Sequence, residues 1–294
     1  MKIEVSNSQD RIDKYLASNT NYSRELINKM LKDGYILVNN NIVKSSYKVK
    51  DNDIIEIKDG YVKENNVVAS KMPLDIVYED EYLMVINKPS GLVVHPGNGN
   101  YDNTLVNGLM YYTNNLSDVG DAYRPGIVHR LDKDTTGLML VAKDNLTHEL
   151  LAEDFKKHNI HREYVALVDG VIEVNKGTID APIKRDKDNF LKMKVASGGK
   201  SAITHFTVLK RYKHNTLLRL NLETGRTHQI RVHMAYIGYP IYNDPIYNKK
   251  DSTEFGQFLH SEYLEFIHPI TKEKLSFQAA IPKYFKEYLD TLEE

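Results

Sequence analysis

The strongest constraint on the fold is a succession of short apolar runs that follow one another from residue 73 onward. Each run is rich in β-branched or aliphatic residues and is bounded by turn-forming residues, which is typical of β-strands. The clearest runs are residues 82–87, 137–142, 164–168, 203–209 and 217–222. The helical spacing of apolar residues is found in residues 145–158 and 227–237. Because strands and helices do not alternate regularly, this pattern predicts an α+β fold rather than a doubly wound parallel sheet.

The first 62 residues have a different pattern, which predicts two short helices followed by strands. The apolar residues at helical spacing are Ile12, Tyr15 and Leu16 in the first helix and Leu26, Ile27, Met30 and Leu31 in the second. Ser23 is the predicted N-cap of the second helix, which should end at Asp33 and Gly34. Residues 35–38 and 54–57 are predicted strands, so this segment reads as a small α/β module.

The domain organisation follows from a polar stretch between the two patterns. Residues 63–72 predict a linker between a first domain of residues 1–62 and a second of residues 73–294. No apolar run approaches the roughly 20 residues that span a bilayer, and the first residues lack the apolar core of a signal peptide. We therefore expect a cytoplasmic protein without a membrane partner. The chain contains no cysteine, which excludes disulfides, thiolate metal sites and cysteine nucleophiles.

The formal net charge of −1 hides an uneven distribution of charge. Residues 184–235 contain twelve Lys or Arg and three acids, a net of +9, so the rest of the chain carries −10. A basic block of this kind is typical of a surface that contacts nucleic-acid phosphates. A solvated basic face with no partner is the alternative, and charge alone does not decide between them.

Three polar segments beside predicted strands are the candidates for chemistry. They are residues 87–97, 126–138 and 222–234, and the last two concentrate Asp, Arg and His. Polar clusters next to apolar strands cost stability unless they are paired or functional. His228 and His233 are five residues apart, which is off the spacing of a helical zinc pair, and we expect no metal.

Other familiar active sites fit these segments poorly. Residues 199–201 have the tail of a phosphate loop, but Lys194 stands where that loop requires glycine. Asp132 and Asp134 share one loop, which would not place them on opposite sides of a glycosidic bond. The G-x-S-x-G turn of a serine hydrolase is missing. A single important aspartate among arginines remains, and it suits an anionic substrate.

These segments resemble the motifs of the RluA-type pseudouridine synthases. The carrying motifs are His129-Arg130-Leu131-Asp132 with Thr135-Thr136-Gly137, Lys88-Pro89-Ser90-Gly91, Gly225 to His233, Arg162-Glu163-Tyr164, Gly256-Gln257 with His260, and His268-Pro269. The resemblance covers about residues 74–285, with Thr136 where many members have Ser. It implies a catalytic domain built on a mixed, largely antiparallel sheet flanked by helices and loops. The first domain resembles the S4-type RNA-binding module, and the combination resembles the RluD-type branch, which acts on large-subunit ribosomal RNA.

The resemblance also implies the chemistry and the residues that perform it. Uridine in RNA would be isomerised to pseudouridine without a cofactor, with the catalytic residues Asp132, Tyr164 and Arg231. Asp132 would be the essential carboxylate, Arg231 its ion-pair partner and Tyr164 the residue stacked on the base. The residues expected to contact RNA are Arg130, Lys88, Arg226 and His129. Arg130 would fill the space that the flipped uridine leaves.

Simpler roles remain open for several of these residues. Arg130 could be an ion-pair partner of Asp134, Tyr164 could be core packing, and Lys88 could shape the pocket, meet a phosphate or be merely solvated. The expected partner is large-subunit ribosomal RNA or a pre-ribosomal particle, and the expected state is a monomer. The alternative functions are a non-catalytic RNA-binding or ribosome-assembly factor and a nucleoside or glycoside hydrolase.

Overall fold

The structure is a computed structural model that describes residues 1–6, 8–20, 22, 24–59, 67–97, 100, 102–119, 124–189, 191–248 and 252–293. By its internal contacts the chain divides into one unit of Met1–Asn66 with Asp118–Pro125 and another of Val67–Ser117 with Gly126–Glu294. The predicted cap Ser23 and much of the predicted linker lie outside the described residues, so the linker bounds stay a prediction.

The described residues of the first unit form two helices and a small antiparallel sheet. Its elements are β1 (Lys2–Glu4), α1 (Ile12–Asn19), α2 (Arg24–Lys32), β2 (Ile36–Val38), β3 (Asn41–Ile42) and β4 (Ile54–Ile57). The strand order is β1-β4-β2-β3, and every neighbouring pair is antiparallel. Ile12 and Leu16 of α1 and Ile27, Met30 and Leu31 of α2 are buried in its core. The helix faces predicted from the apolar spacing are therefore confirmed.

A buried carboxylate joins the two helices of this unit. Asp13 is 1% exposed and accepts hydrogen bonds from Arg11 and from Arg24 Nε, the latter at 2.8 Å. The backbone N–H of Lys14 donates to the same carboxylate. Burial raises the pKa of Asp13, but the two arginines lower it by a larger amount, so the net pKa lies below its ordinary value.

The second unit is built around one large sheet. Its strands are β5 (Ile76–Glu79), β6 (Leu83–Lys88), β7 (Thr136–Ala142), β8 (His161–Asp169), β9 (Lys176–Asp180), β10 (Ile183–Arg185), β11 (Met193–Val195), β12 (Ile203–Arg211), β13 (Asn215–Leu222), β14 (Leu259–Ile267) and β15 (Lys274–Gln278). Its helices are α3 (Leu105–Tyr112), α4 (Asn145–Lys157), α5 (Gln229–Tyr236) and α6 (Lys283–Asp290).

The topology of this sheet confirms the predicted mixed, largely antiparallel architecture. Within the described residues it has nine strands in the order β5-β6-β7-β14-β8-β13-β12-β9, with β15 beside β14. The pair of β7 and β14 is parallel, whereas the other pairs are antiparallel. A separate hairpin of β10 and β11 lies in the basic block.

The centre of the sheet positions the polar segments. Every residue of β7 is buried, and the second polar segment, residues 126–138, contains the loop that precedes it and its first three residues. Gly137 has a φ of +107°, and a Cβ there would collide with the backbone of Ser261 on β14. Only glycine combines that φ with such a close approach, so the end of the Asp132 loop is fixed against the neighbouring strand. In the described part of the chain, no helix has the length and apolar character needed to cross a bilayer.

Candidate active site

Two of the three polar segments, residues 126–138 and 222–234, meet around a cavity of about 460 Å³ in the second unit. The loop before β7, strand β8, the end of α4 and the start of α5 supply its walls. Of the seven predicted site residues, the cavity is lined by Asp132, Tyr164, Arg231, Arg130, Arg226 and His129. Lys88 is not among its lining residues. Residues far apart in sequence are thus brought together as the motifs predicted, with the exception of Lys88.

Asp132 and Arg231 form an ion pair at the wall of the cavity. Arg231 Nη1 donates to Asp132 Oδ2 at 2.8 Å. The Arg231 side chain is 3% exposed, whereas that of Asp132 is 16% exposed. Asp132 Oδ1 lies 3.8 Å from His228 Nε2, beyond hydrogen-bonding distance, and no hydrogen bond to Oδ1 is found among the described residues. One oxygen of the carboxylate is therefore held and the other is available.

The surroundings of Asp132 keep it ionised. Burial raises the pKa of Asp132, but the His228 ring in its protonated form and Arg231, together with the hydrogen bond from Arg231, lower it more, so the net pKa lies below its ordinary value. The guanidinium is permanently charged and acts at all relevant pH values. A carboxylate in this state can act as a nucleophile or as a base.

Arg231 is fixed from behind by a second carboxylate. Asp244 is fully buried and accepts from Arg231 Nε at 2.7 Å and from Nη2 at 2.9 Å. The backbone N–H groups of Ile246 and Tyr247 donate to the same carboxylate. Burial lowers the pKa of Arg231, but the bonds with Asp244 and the charge of Asp132 raise it more. This bidentate contact leaves Nη1 directed at Asp132.

The Tyr247 side chain links this ion pair to the basic hairpin. The Arg231 guanidinium carbon lies 5.2 Å from the centre of the Tyr247 ring. The Tyr247 hydroxyl accepts from the backbone N–H of Met193 at 2.8 Å and lies 2.8 Å from His228 Nδ1. The hydroxyl can thus donate its own hydrogen to Nδ1, which leaves Nε2–H facing Asp132. Burial lowers the pKa of His228, so the ring is neutral at physiological pH.

The comparisons with known proteins agree with this geometry. The protein-family model described as RNA pseudouridylate synthase matches residues 82–236, and the S4 domain model matches residues 10–55. An uncharacterized RNA pseudouridine synthase of Bacillus subtilis (strain 168) is 45% identical over 99% of this chain and 98% of its own. The chain belongs to the RNA pseudouridylate synthase family. It is an RNA pseudouridine synthase, an isomerase, with an S4 domain.

Further relatives support the assignment of this pseudouridine synthase. The ribosomal large subunit pseudouridine synthase D of Zymomonas mobilis is 41% identical, over 93% of this chain and 90% of its own. The solved structure of human RNA pseudouridylate synthase domain containing 1 aligns with a TM-score of 0.59 and 26% identity, covering 72% of this chain and 85% of that one. The predicted family and fold are confirmed, and a catalytic function is supported over a non-catalytic scaffold.

Tyr164 of the synthase is 5% exposed and lines the cavity from β8. Its strand neighbours are Leu220 on β13 and Ser261 on β14. The ring is therefore held in the middle of the sheet, with one side on the cavity. Core packing and base stacking are compatible at this position, because a rigid wall is what a stacking base requires.

Arg130 lies at the exposed side of the cavity and is supported by the first polar segment. Its Nη1 lies 3.0 Å from His95 Nε2. His95 is 6% exposed, and its Nδ1 lies 3.0 Å from the carbonyl oxygen of Pro96. Nδ1 therefore carries the ring hydrogen and Nε2 accepts from the guanidinium. His95 holds Arg130 at the mouth of the cavity.

Lys88 has a different role from the predicted RNA contact. It is 1% exposed, and its ammonium donates to the carbonyl oxygens of Pro89, Leu92 and Lys133 at 2.7–2.9 Å. Burial lowers the pKa of Lys88 to about 7, yet only the protonated amine has three hydrogens for these three acceptors. A solvated lysine is ruled out, and a phosphate contact is incompatible with this conformation. Lys88 shapes the loop that carries Asp132.

His129 and Arg226 lie on the cavity wall in unlike environments. The backbone N–H of Leu140 donates to His129 Nε2 at 2.8 Å, and the ring lies 4.5 Å from that of Phe155. Burial and the charge of Arg162 lower the pKa of His129 to about 3, so the ring is a neutral wall residue. Arg226 is exposed, and its Nε donates to the carbonyl oxygen of Ser201 at 3.0 Å.

The sequence did not indicate Asp244 or Tyr247 as parts of the site. Both follow α5 in a turn-rich stretch where an acid or a tyrosine would ordinarily be solvated. The available signal was that a buried arginine needs more than one acceptor, which predicts a second carboxylate without locating it. The described residues contain no group of three or more His, Asp or Glu side chains that could hold a metal ion.

Proposed function

We propose that this protein isomerises uridines of large-subunit ribosomal RNA to pseudouridine, with Asp132 as the catalytic carboxylate. The observation that carries the proposal is the Asp132 carboxylate itself. One of its oxygens is bound to Arg231, and the other has no hydrogen bond within the described residues, in a cavity large enough for a base. The large-subunit substrate is supported by the names of relatives such as the Zymomonas mobilis synthase.

The reaction exchanges one bond to the ribose for another. The N1–C1′ bond breaks, the uracil turns, and C5 bonds to C1′, after which C5 loses its hydrogen as a proton and N1 gains one. Asp132 either attacks C1′ or removes the 2′ proton to give a glycal, and an ionised carboxylate serves in both cases. We expect no cofactor, and because the product is an isomer of the substrate the reaction consumes no oxidant, reductant or group donor.

Tyr164 and Arg231 complete the proposed catalytic group. In this proposal Tyr164 stacks on the uracil from its place on β8 and assists proton removal from C5. Arg231 keeps Asp132 ionised and oriented, since it is itself held by Asp244. The network orients the carboxylate before substrate binds, so little reorganisation is required during the reaction.

The target uridine must leave its helix to reach this cavity, which costs a few kcal/mol. We assign to Arg130 the place of the extruded base, where its planar guanidinium can stack on neighbouring bases. Arg226 and the basic block of residues 184–235 contact the backbone phosphates. The S4 domain adds affinity for folded RNA, and the substrate is naked ribosomal RNA or a pre-ribosomal particle. We expect the protein to act as a monomer in the cytoplasm.

Carbodiimide mapping tests this function. Unmodified large-subunit RNA is incubated with the wild-type protein or with Asp132→Asn, and pseudouridines are mapped along the transcript. Discrete modified positions are expected with the wild type and none with the variant, while RNA binding persists. Free uracil in the supernatant would instead indicate a hydrolase, and undiminished product with Asp132→Asn would remove Asp132 from its assigned role.

A further inference from the structure

Arg162 is a buried cation of the cavity wall to which neither a motif nor a mechanism step assigns a partner. It lies on β8 two residues before Tyr164, and alternate residues of a strand face the same side. Both side chains line the cavity. Arg162 is 8% exposed, so its charge is largely removed from water.

Among the described residues, no acidic side chain forms an ion pair with the Arg162 guanidinium. Among the described residues, no hydrogen bond or ion pair is found for it, and its Nε is shielded from solvent without a partner. Its guanidinium carbon lies 5.2 Å from the centre of the Phe155 ring, a favourable but uncharged contact. The neighbouring His129 is neutral. Arg231, which is also buried, has two carboxylates, and this contrast marks Arg162 as incomplete without a ligand.

The charges around the Arg162 guanidinium favour the binding of an anion next to it. The described cations on the cavity wall include Lys156 and Arg226, whereas its carboxylate, Asp132, is already paired with Arg231. Gly225 lies beside the Arg162 guanidinium, and a Cβ there would lie 3.4 Å from Nη1. Because glycine has no side chain, that approach stays open.

We propose that Arg162 binds a backbone phosphate of the RNA strand next to the uridine that enters the cavity. The proposal rests on the proposed function, since that function brings RNA to this cavity. Two residues of a strand span about 6.6 Å, so the phosphate at Arg162 lies beside the base at Tyr164. The planar guanidinium is suited to two parallel hydrogen bonds with phosphate oxygens.

The Arg162→Gln variant of the full chain tests this site. Binding to an RNA fragment containing the target uridine is measured over a range of salt concentrations. One lost phosphate contact should reduce the slope of log K against log salt by about 0.7 to 0.9. KM should rise about tenfold or more with little change in kcat, because the contact is made equally before and during the reaction. The RNA-free variant should melt at a higher temperature, since an unpaired buried charge has been removed.

Lys286→Gln is the matched control, because Lys286 is exposed on α6 and outside the cavity wall. It removes one positive charge and should change neither slope nor KM. Inorganic phosphate is added in a separate arm. Competition with RNA in the wild type but not in Arg162→Gln supports a phosphate site, and competition that is equal in both contradicts it.

An unchanged slope and KM in Arg162→Gln, with a lower melting temperature, would overturn the proposal and leave Arg162 as a packing residue. If Arg162→Gln does not fold, Arg162→Lys decides, with an expected rise in KM at unchanged slope. An unchanged KM in that variant would also overturn the proposal. A wild type that binds RNA through Arg162 but makes no pseudouridine would contradict the proposed function alone.

Discussion

The two units of this protein each contain an aspartate held by arginine, and the two carboxylates differ in what remains free. Asp13 in the S4 domain accepts from Arg11, Arg24 and the backbone of Lys14, so both of its oxygens are occupied. Asp132 in the catalytic unit accepts from Arg231 through Oδ2, and no hydrogen bond to Oδ1 is found in the described residues.

We propose that this difference separates a structural carboxylate, Asp13, from a reactive one, Asp132. At Asp13 the arginines are half-exposed and bind the acid directly, so the charge is used to join two helices. At Asp132 the arginine is buried and already bound by Asp244, so it orients the carboxylate without occupying it fully. Ionisation alone does not make a catalytic aspartate, since the pKa of both lies below its ordinary value.

The largest effect, short of removing the carboxylate itself, is expected from Arg231→Gln. The substitution leaves Asp244 buried without its partner, which should lower the free energy of unfolding by about 3–5 kcal/mol. The rate should fall about 10²–10³-fold. The pKa of Asp132 should rise, so the remaining activity should decrease toward acid pH. Arg24→Gln in the S4 domain should affect unfolding and leave the rate unchanged, and an equal loss of rate would break the comparison.

Lys88→Met is expected to have the next largest effect. The methionine fills the space but leaves the carbonyl oxygens of Pro89, Leu92 and Lys133 without a donor. We expect a loss of about 1–3 kcal/mol in unfolding free energy and a lower kcat, because Lys133 adjoins Asp132. Urea unfolding and single-turnover rates measure both. The control is Lys58→Met, which removes an exposed ammonium bound to one carbonyl. An equal effect there would contradict the role assigned to the three buried hydrogen bonds of Lys88.

Tyr247→Phe should have a smaller effect, on the rate rather than on folding. The ring over Arg231 is retained, while the hydroxyl between Met193 and His228 is lost. Losing the hydrogen bonds of the hydroxyl, a contribution of about 1 kcal/mol, should lower kcat several-fold and leave KM nearly unchanged. Tyr47→Phe is the matched change in the S4 domain, where the hydroxyl donates to Asp53 at 2.8 Å. Identical kinetics of Tyr247→Phe and the wild type would show that the network does not orient Asp132.

The smallest effect concerns the acid range. Because the folded-state pKa of Asp13 is lowered, its contribution to stability is present above the unfolded pKa of about 3.9 and is lost as pH falls through the folded value. Hydrogen exchange measures the opening free energy of the S4 helices. The difference in this free energy between the wild type and Asp13→Asn should therefore be constant near neutral pH and should vanish in acid. A difference that grows in acid would contradict the lowered pKa assigned to Asp13.

Elements with unbroken apolar patterns could be predicted from the sequence, such as α1, α2, β4, β7 and α4. Strand β14 was not predicted, because His260, Ser261 and Glu262 interrupt its apolar pattern. The fold accommodates these polar residues beside β7, with which β14 pairs in parallel. Helix α5 begins at Gln229, later than the predicted residue 227, because His228 has a φ of +57°.

The site shows the same division between local and tertiary information. The motifs predicted that Asp132, Tyr164 and Arg231 share one site, and the structure places them around one cavity. The three hydrogen bonds of Lys88 and the contacts of the Asp244 carboxylate depend on backbone atoms and side chains that only folding brings together. No residue spacing encodes those contacts, so an RNA contact was predicted, beside a role in shaping the pocket, for a lysine that the fold encloses.

The most direct test of the contrast between the two carboxylates is the single-turnover rate of pseudouridine formation at saturating RNA, measured for Asp132→Asn and Asp13→Asn with unfolding followed in the same preparations. Asp132→Asn should be slower than the wild type by about 10⁴-fold or more with intact RNA binding and folding. Asp13→Asn should retain the rate while its S4 domain is less stable. A rate for Asp132→Asn within about tenfold of the wild type, at full RNA occupancy, would contradict the account.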